Sequence, residues 1–348
     1  LTLNGPNAGK SGTDATRGAE AIIYPPAGSS PTGGGTTIDL VAITAADVIL
    51  DGLKLDGDNT SKPSPYTANG ANMDVDTGVF STGNGTVVRN CVIVNAFQFG
   101  VALGSDGTLS LYGEVLNNRI DNIPYFSGIL VFDGYYAKID GNTINDAWRG
   151  IQTNNHHLPA PFGAVAQISN NIVTTKTQAI VGDSTYTDVG GILNNLQYGT
   201  ATGWTISGNT VTNTDGASSG SVGMQVWSIQ TAVSSTMSNN TVVGFDNGYR
   251  LWNGPSNGVL VSGGSVTGSN VGVLATNFSS SWGDADSSAY AISGVAISGC
   301  ATGVKVDDSA SNLNSATVSV AVSGGSVSNG TTGLSVSGAD ASVSSLAT

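Results

Sequence analysis

Two short patterns of apolar and polar positions alternate along the chain. In the first, an apolar residue is followed by a polar one, then by Gly or Asn, often a second Asn, a polar residue and another apolar one. It reads Ile139-Asp140-Gly141-Asn142-Thr143-Ile144, Ile206-Ser207-Gly208-Asn209-Thr210-Val211, Met237-Ser238-Asn239-Asn240-Thr241-Val242 and, more loosely, Val322-Ser323-Gly324-Gly325-Ser326-Val327. The second pattern is Gly, apolar, any residue, apolar. It reads Gly100-Val101-Ala102-Leu103, Gly128-Ile129-Leu130-Val131, Gly223-Met224-Gln225-Val226, Gly248-Tyr249-Arg250-Leu251, Gly303-Val304-Lys305-Val306 and Gly333-Leu334-Ser335-Val336. Alternation with a period of two predicts short half-buried strands. The recurring Gly and Asn positions are expected to be turns that need left-handed backbone.

The position of Asn142 recurs at Leu53, Cys91, Asn118, Asn171, Asn209, Asn240, Gly264, Val295 and Gly325, and Leu3-Asn4-Gly5-Pro6 reads as an earlier copy. Neighbouring copies lie 24 to 38 residues apart. A repeat that varies only in its loops is a solenoid, because no coil can bury its apolar face alone. Stacked parallel strands also bond to both neighbours at about 4.8 Å, and the crossover rule favours right-handed winding. The prediction is an all-β, single-stranded right-handed parallel β-helix of about ten or eleven coils. It forms one domain over residues 1–348, with loop insertions near 56–73, 154–162 and 176–203. A propeller needs blades of about 40 residues, longer than the shortest copies.

These patterns resemble the right-handed parallel β-helix proteins of the pectate-lyase-like superfamily, from Leu1 to about Val336. The resemblance implies that Asn118, Asn142, Asn171, Asn209 and Asn240 form an inward asparagine ladder bonding to turn backbone in successive coils. It says little about a reaction. Asn213-Thr214-Asp215-Gly216 is similar to the Asn-Thr-Asp motif of polygalacturonase-type hydrolases, but that family's later Asp-Asp, Gly-His-Gly and Arg-Ile-Lys motifs are missing. Asp215 is therefore read as a turn residue.

Composition narrows the partners. The chain has 49 Gly, 39% hydrophobic residues and only 10% charged ones, with a net charge of -13. Eleven Lys and Arg residues make no basic footprint for nucleic acid. No apolar run reaches the ~18 residues of a membrane span. Scarce Lys and Glu beside abundant Ser, Thr, Asn and Asp suggests a bacterial protein that is secreted or on the cell surface. The start at Leu1 suggests a processed segment of a longer one. Cys91 and Cys300 lie about seven coils apart, or about 34 Å at ~4.8 Å per coil, far beyond disulfide reach.

Candidate chemistry comes from comparing outward positions. Around the ladder strand, the positions equivalent to Asp140 are mostly Ser. On the glycine strand, two and four residues after the Gly, the central coils carry Phe132, Gln152, Asn154, Asn195, Gln225, Trp227, Arg250 and Trp252. Aromatic rings cover the C–H face of a sugar, and amide and guanidinium groups bond its hydroxyls or carboxylates. These eight residues are the predicted glycan contacts. Asp133 and Asp146, in adjacent coils, are the candidate acid/base pair if they approach within the ~5–10 Å of a glycosidase. Arg149 or Arg250 is the candidate anchor for a substrate carboxylate. His156 and His157 are read as a solvated turn, and Asp246 as too far from Asp133 to pair with it. No metal-ligand set has diagnostic spacing. Calcium is the one candidate cofactor, through Asp56-Gly57-Asp58-Asn59 or Asp284-Ala285-Asp286, although Asx turns explain both segments.

Two functions compete on this reading. One is a non-catalytic β-helix that binds a polysaccharide or glycan, or serves as a scaffold or adhesin. The other is a polysaccharide lyase or glycoside hydrolase acting on the central face.

Overall fold

In the computed structural model, the described residues are 1–26, 38–104, 111–133, 135–155, 166–181, 183–197, 204–229, 235–252, 259–277, 287–308, 317–338 and 340–347. They contain strands and turns and no helix, so none of them forms a helix long and apolar enough to cross a membrane. The fold is all-β, with long parallel sheets in a nearly closed, solenoid-like arrangement.

The strands stack in three columns. Column one holds twelve parallel strands in chain order, from Thr2–Asn4 and Ile49–Asp51 to Val318–Ser323 and Ala341–Ala347. Column two holds the short strands after the ladder corner, from Ile22–Ile23 and Lys54–Asp56 to Ser326–Ser328. Column three holds the glycine strands, from Asp39–Ile43 and Thr77–Ser81 to Thr332–Ser337. Arg119–Phe132 and Thr143–Asn155 run unbroken from column two into column three, which joins those two columns into one sheet. The registers reproduce the sequence alignment: Asp51, Arg89, Leu116, Asp140, Ser169 and Ser207 are successive partners. Thr2–Asn4 is the earlier copy that the sequence suggested, and Ala341–Ala347 extends the stack beyond the repeats read from it.

One apolar cluster fills the interior, because every column turns its alternate residues inward. Val115, Ile139 and Ile168 stack from column one, Ile120, Ile144 and Val173 from column two, and Ile129, Ile151 and Ile192 from column three. All of these are fully buried.

The ladder exists, and it is the polar exception inside this core. Asn142 Oδ1 accepts from the Asn118 N–H and Nδ2 at 3.0 Å each, while Asn142 Nδ2 donates to Val115 O at 2.8 Å. Asn171, Asn209 and Asn240 repeat the pattern, and Asn118 Oδ1 receives the Cys91 N–H. The residue before each ladder position is left-handed, as at Asn117 (φ 55°), Gly141 (φ 68°) and Asn170 (φ 54°).

The glycine strands differ from expectation. Gly100, Gly128, Gly150, Gly191, Gly223 and Gly248 do not have positive φ and are not turn residues. Each is inside a strand, where the next coil leaves no room for a methyl. At Gly128 a Cβ would come within 2.6 Å of Ile144 Cγ2 and 2.9 Å of Gly150 O. Close approach, not turn geometry, selects glycine there.

Two of the expected insertions cooperate. Segments from within 56–73 and 176–189 leave the stack at coils four apart and meet where Thr67 and Val181 exchange backbone hydrogen bonds. Between them, Asn69 Nδ2 donates to Asn122 Oδ1 at 2.7 Å. Below lies a small second core of Ala68, Met73, Phe97 and Ile180, flanked by Tyr66, Tyr125 and Tyr186. The insertion at 154–162 falls almost wholly outside the described residues, as do His156, His157, Asp284 and Asp286.

Cys91 and Cys300 are free and buried. Burial pushes the Cys91 thiol up to about 11 and raises that of Cys300. A thiol reagent such as DTNB is expected to titrate neither cysteine in the folded protein and both after denaturation. Rapid labelling without denaturant would contradict this packing.

Candidate functional site

The candidate face spans five consecutive coils of column three. Register places Leu130, Gln152, Leu193, Gln225 and Arg250 in one row, and Phe132, Asn154, Asn195, Trp227 and Trp252 in the next. All eight predicted contacts thus share one face.

Their availability differs from expectation. Gln152, Asn195 and Gln225 point outward yet are only 4%, 8% and 3% exposed. They are not open glycan donors, because their amides bond to one another. Gln225 Nε2 donates to Asn195 Oδ1 at 2.6 Å, and Asn195 Nδ2 donates to Asn154 Oδ1 at 2.8 Å. Gln152 Nε2 reaches the same Asn154 Oδ1 at 3.0 Å. Alternation assigned the direction of these side chains correctly, but it carries no information about what covers them.

An arginine stands at each end of this chain. Arg250 Nε donates to Gln225 Oε1 at 2.6 Å, and Arg149 Nη1 donates to Gln152 Oε1 at 3.3 Å. Arg250 lies 5.2 Å from the Trp252 ring centroid, and Trp252 stacks on Trp227 at 5.1 Å. Arg149 lies 4.2 Å from the Trp148 ring and 5.4 Å from Phe126. Its Nε is buried without an acceptor, and its Nη2 lies 3.8 Å from Asp188 Oδ2. Burial lowers the pKa of Arg149. Burial, then the charge of Arg149, lower that of Arg250 to about 10.

Beyond the Arg149 end lies a pocket of about 380 Å³, lined by Phe80, Phe99, Phe126 and Phe132 with Ala102 and Leu130. Thr77, Asp133 and Asn154 supply its polar wall. Phe132 covers Gly104, where a Cβ would stand 2.1 Å from the ring. The predicted Phe132, Asn154 and Asp133 therefore meet in one concavity, while Trp227, Trp252 and Arg250 sit farther along the same face.

The sequence missed Phe80, Phe99 and Phe126. Phe80 was within reach: Thr77–Ser81 carries the glycine pattern, but the buried Ser81 replaces its last apolar residue and instead hydrogen-bonds with Thr86 at 2.7 Å. Phe99 and Phe126 lie before the glycine, at the bend from column two, where no repeated pattern marks them.

The proposed carboxylate pair does not form. Asp146 has φ 54° and occupies the corner series of left-handed residues that includes Asn95, Asn122, Gly244, Gly268 and Gly299. It pairs with Lys176 at 2.9 Å. Asp133 lies at the other end of column three, where its N–H donates to Asn154 O at 3.2 Å. The six residue-to-residue steps from Arg149 to Asn155 alone separate these ends by about 20 Å at ~3.3 Å per step, beyond either glycosidase spacing. Asp246 is also a corner group, accepting from Asn270 Nδ2 and the Gly220 N–H.

Asp215 accepts from the Thr177 N–H at 2.6 Å, and its own N–H donates to Asn213 Oδ1, as in an Asx turn. Asp56 likewise accepts from the Asp58 N–H and pairs with Lys54 at 2.8 Å. Among the described residues no group of three or more His, Cys, Asp or Glu is placed to hold a metal ion. Set against known proteins, the chain matches no family model, no curated protein and no solved structure.

Proposed function

We propose that the chain is a right-handed parallel β-helix of the pectate-lyase-like kind, secreted or displayed at a cell surface, that binds a glycan on the outer surface of column three without cleaving it. The observation that carries this reading is the aromatic pocket at Phe80, Phe99, Phe126 and Phe132, continuous with a fixed row of amides and an indole pair. A concave apolar site with a few placed polar groups is the usual form of a binding site. Rings along one face suit the C–H surfaces of successive sugars. The separation of Asp133 from Asp146, and the Lys176 partner of Asp146, favour binding over hydrolysis. The excess of acidic groups disfavours a densely charged polyanion.

The test is a polysaccharide panel read for retention and for new reducing or unsaturated ends. Retention without products is expected. Phe132→Ala should weaken it about tenfold, equivalent to ~1.4 kcal/mol. Products from any polysaccharide would overturn the non-catalytic half of the proposal, and no retention by any of them would overturn the other half. A lyase reading has one observation on its side, the Arg250 guanidinium on this face beside Trp252, placed to hold a substrate carboxylate. In that case unsaturated ends appear and Arg250→Gln abolishes them.

A further inference from the structure

The amide row has a direction, and the direction leaves one donor over. Arginine side chains only donate. Arg250 Nε therefore fixes Gln225 with its oxygen toward the guanidinium and its nitrogen toward Asn195. Asn195 must then accept from Gln225 and donate onward to Asn154. From the other end, Arg149 and the Ser127 hydroxyl donate to Gln152 Oε1, so Gln152 also donates to Asn154. Both branches end on Asn154 Oδ1, at 2.8 and 3.0 Å. A flipped Asn154 would put an NH2 against two other NH2 groups. The amide assignment, ordinarily ambiguous, is settled here by the arginines.

Asn154 Nδ2 is consequently held on the side away from the row and has no protein acceptor among the described residues. Donors polarised in series strengthen one another, so this N–H is a better donor than that of an isolated asparagine. Asn154 also lines the phenylalanine pocket. A fixed amide donor at the lip of a pocket walled by Phe80, Phe99, Phe126, Phe132, Leu130 and Ala102 matches a small group with an acceptor oxygen and a methyl side by side.

We infer that the pocket recognises an acetylated sugar, the acetyl carbonyl accepting from Asn154 Nδ2 and the acetyl methyl resting among the phenyl rings. This rests on the glycan reading above and names the substituent that reading leaves open. An unsubstituted hydroxyl can meet the polar wall of Asn154 and Asp133 but brings no methyl to cover the phenyl rings, so it gains little from the apolar part of the pocket. An O-acetyl ester and an N-acetyl amide share the carbonyl and methyl, and the two arms of the experiment separate them.

Titration calorimetry would compare fully N-acetylated chitotetraose with its de-N-acetylated form, and acetylated xylan fragments with the same fragments after alkaline deacetylation. In one pair at least, the acetylated member is expected to bind tenfold or more tightly. Asn154→Asp keeps the shape and the acceptor of the two incoming bonds but removes the free donor, so that preference should fall to within about twofold. Phe80→Ala, at a half-buried wall position, should reduce it independently if Asn154→Asp fails to fold. Trp227→Ala should weaken both members of the pair alike. Equal affinity for both members would overturn the acetyl assignment and leave glycan binding standing. Binding of neither member in both arms would overturn it too, with glycan binding then decided by the polysaccharide panel.

Discussion

Asn171→Ala is expected to lower the unfolding free energy by about 4 kcal/mol, at the extreme end of single substitutions. Asn171 Oδ1 accepts from the Asn142 N–H and Nδ2 at 2.9 and 3.0 Å, and its own Nδ2 donates to Ile139 O at 3.0 Å and Asn209 Oδ1 at 2.9 Å. Alanine removes all four bonds. It leaves the Asn142 N–H and the Ile139 carbonyl without these partners in a fully buried corner, at about 1–3 kcal/mol for each unsatisfied group. Urea unfolding followed by circular dichroism reads the loss. Asn170→Gly is the control, because Asn170 has φ 54° and points outward to Asp140, and glycine adopts that backbone freely. It should shift stability by no more than about 1 kcal/mol. Comparable losses from the two substitutions would mean that the buried bonds are not what holds the corner.

Much of the stack was legible in the amino-acid sequence because its periodicity is enforced by contacts between identical positions. Asn142 meets Asn118 and Asn171, and Gln152 meets Leu130 and Leu193, as alignment of the repeats requires. The face of the candidate site was legible for the same reason. Its chemistry was not. Asp146 and Asp133 belong to adjacent coils, yet a coil is wide, and neighbours in the stack can occupy its opposite corners. The left-handed series Asn95, Asn122 and Asp146 would have placed Asp146 at a corner had the second turn been aligned like the first. The meeting of Thr67 with Val181 had no such signal, since neither insertion repeats and their contact spans four coils. Burial of Gln152 and Gln225 was equally invisible, because a period of two tells outward from inward and not covered from open.

Gly150→Ala is expected to be nearly as damaging as loss of a ladder asparagine, although it adds only one methyl. Its Cβ would stand 2.2 Å from Val173 Cγ1 and 2.7 Å from Gly191 O, both in the next coil. The valine methyl belongs to a fully buried side chain, and the carbonyl belongs to the parallel sheet, so relief requires spreading adjacent strands. Overpacking costs about 1–3 kcal/mol even where side chains can shift, and backbone here cannot, so about 3 kcal/mol and a lower soluble yield are expected. Gly333 occupies the same register position, in the strand Thr332–Ser337, and nothing lies within 4 Å of its Cβ site. Gly333→Ala should therefore stay within about 0.5 kcal/mol of the parent, as other unconstrained substitutions do, or gain slightly through a less flexible unfolded chain. The pair separates two reasons for the recurring glycine. If these glycines were required for turn geometry, both substitutions would destabilise alike. If the requirement comes from the coil stacked alongside, only the glycine that has such a neighbour is sensitive, and melting temperatures of the two variants decide between them.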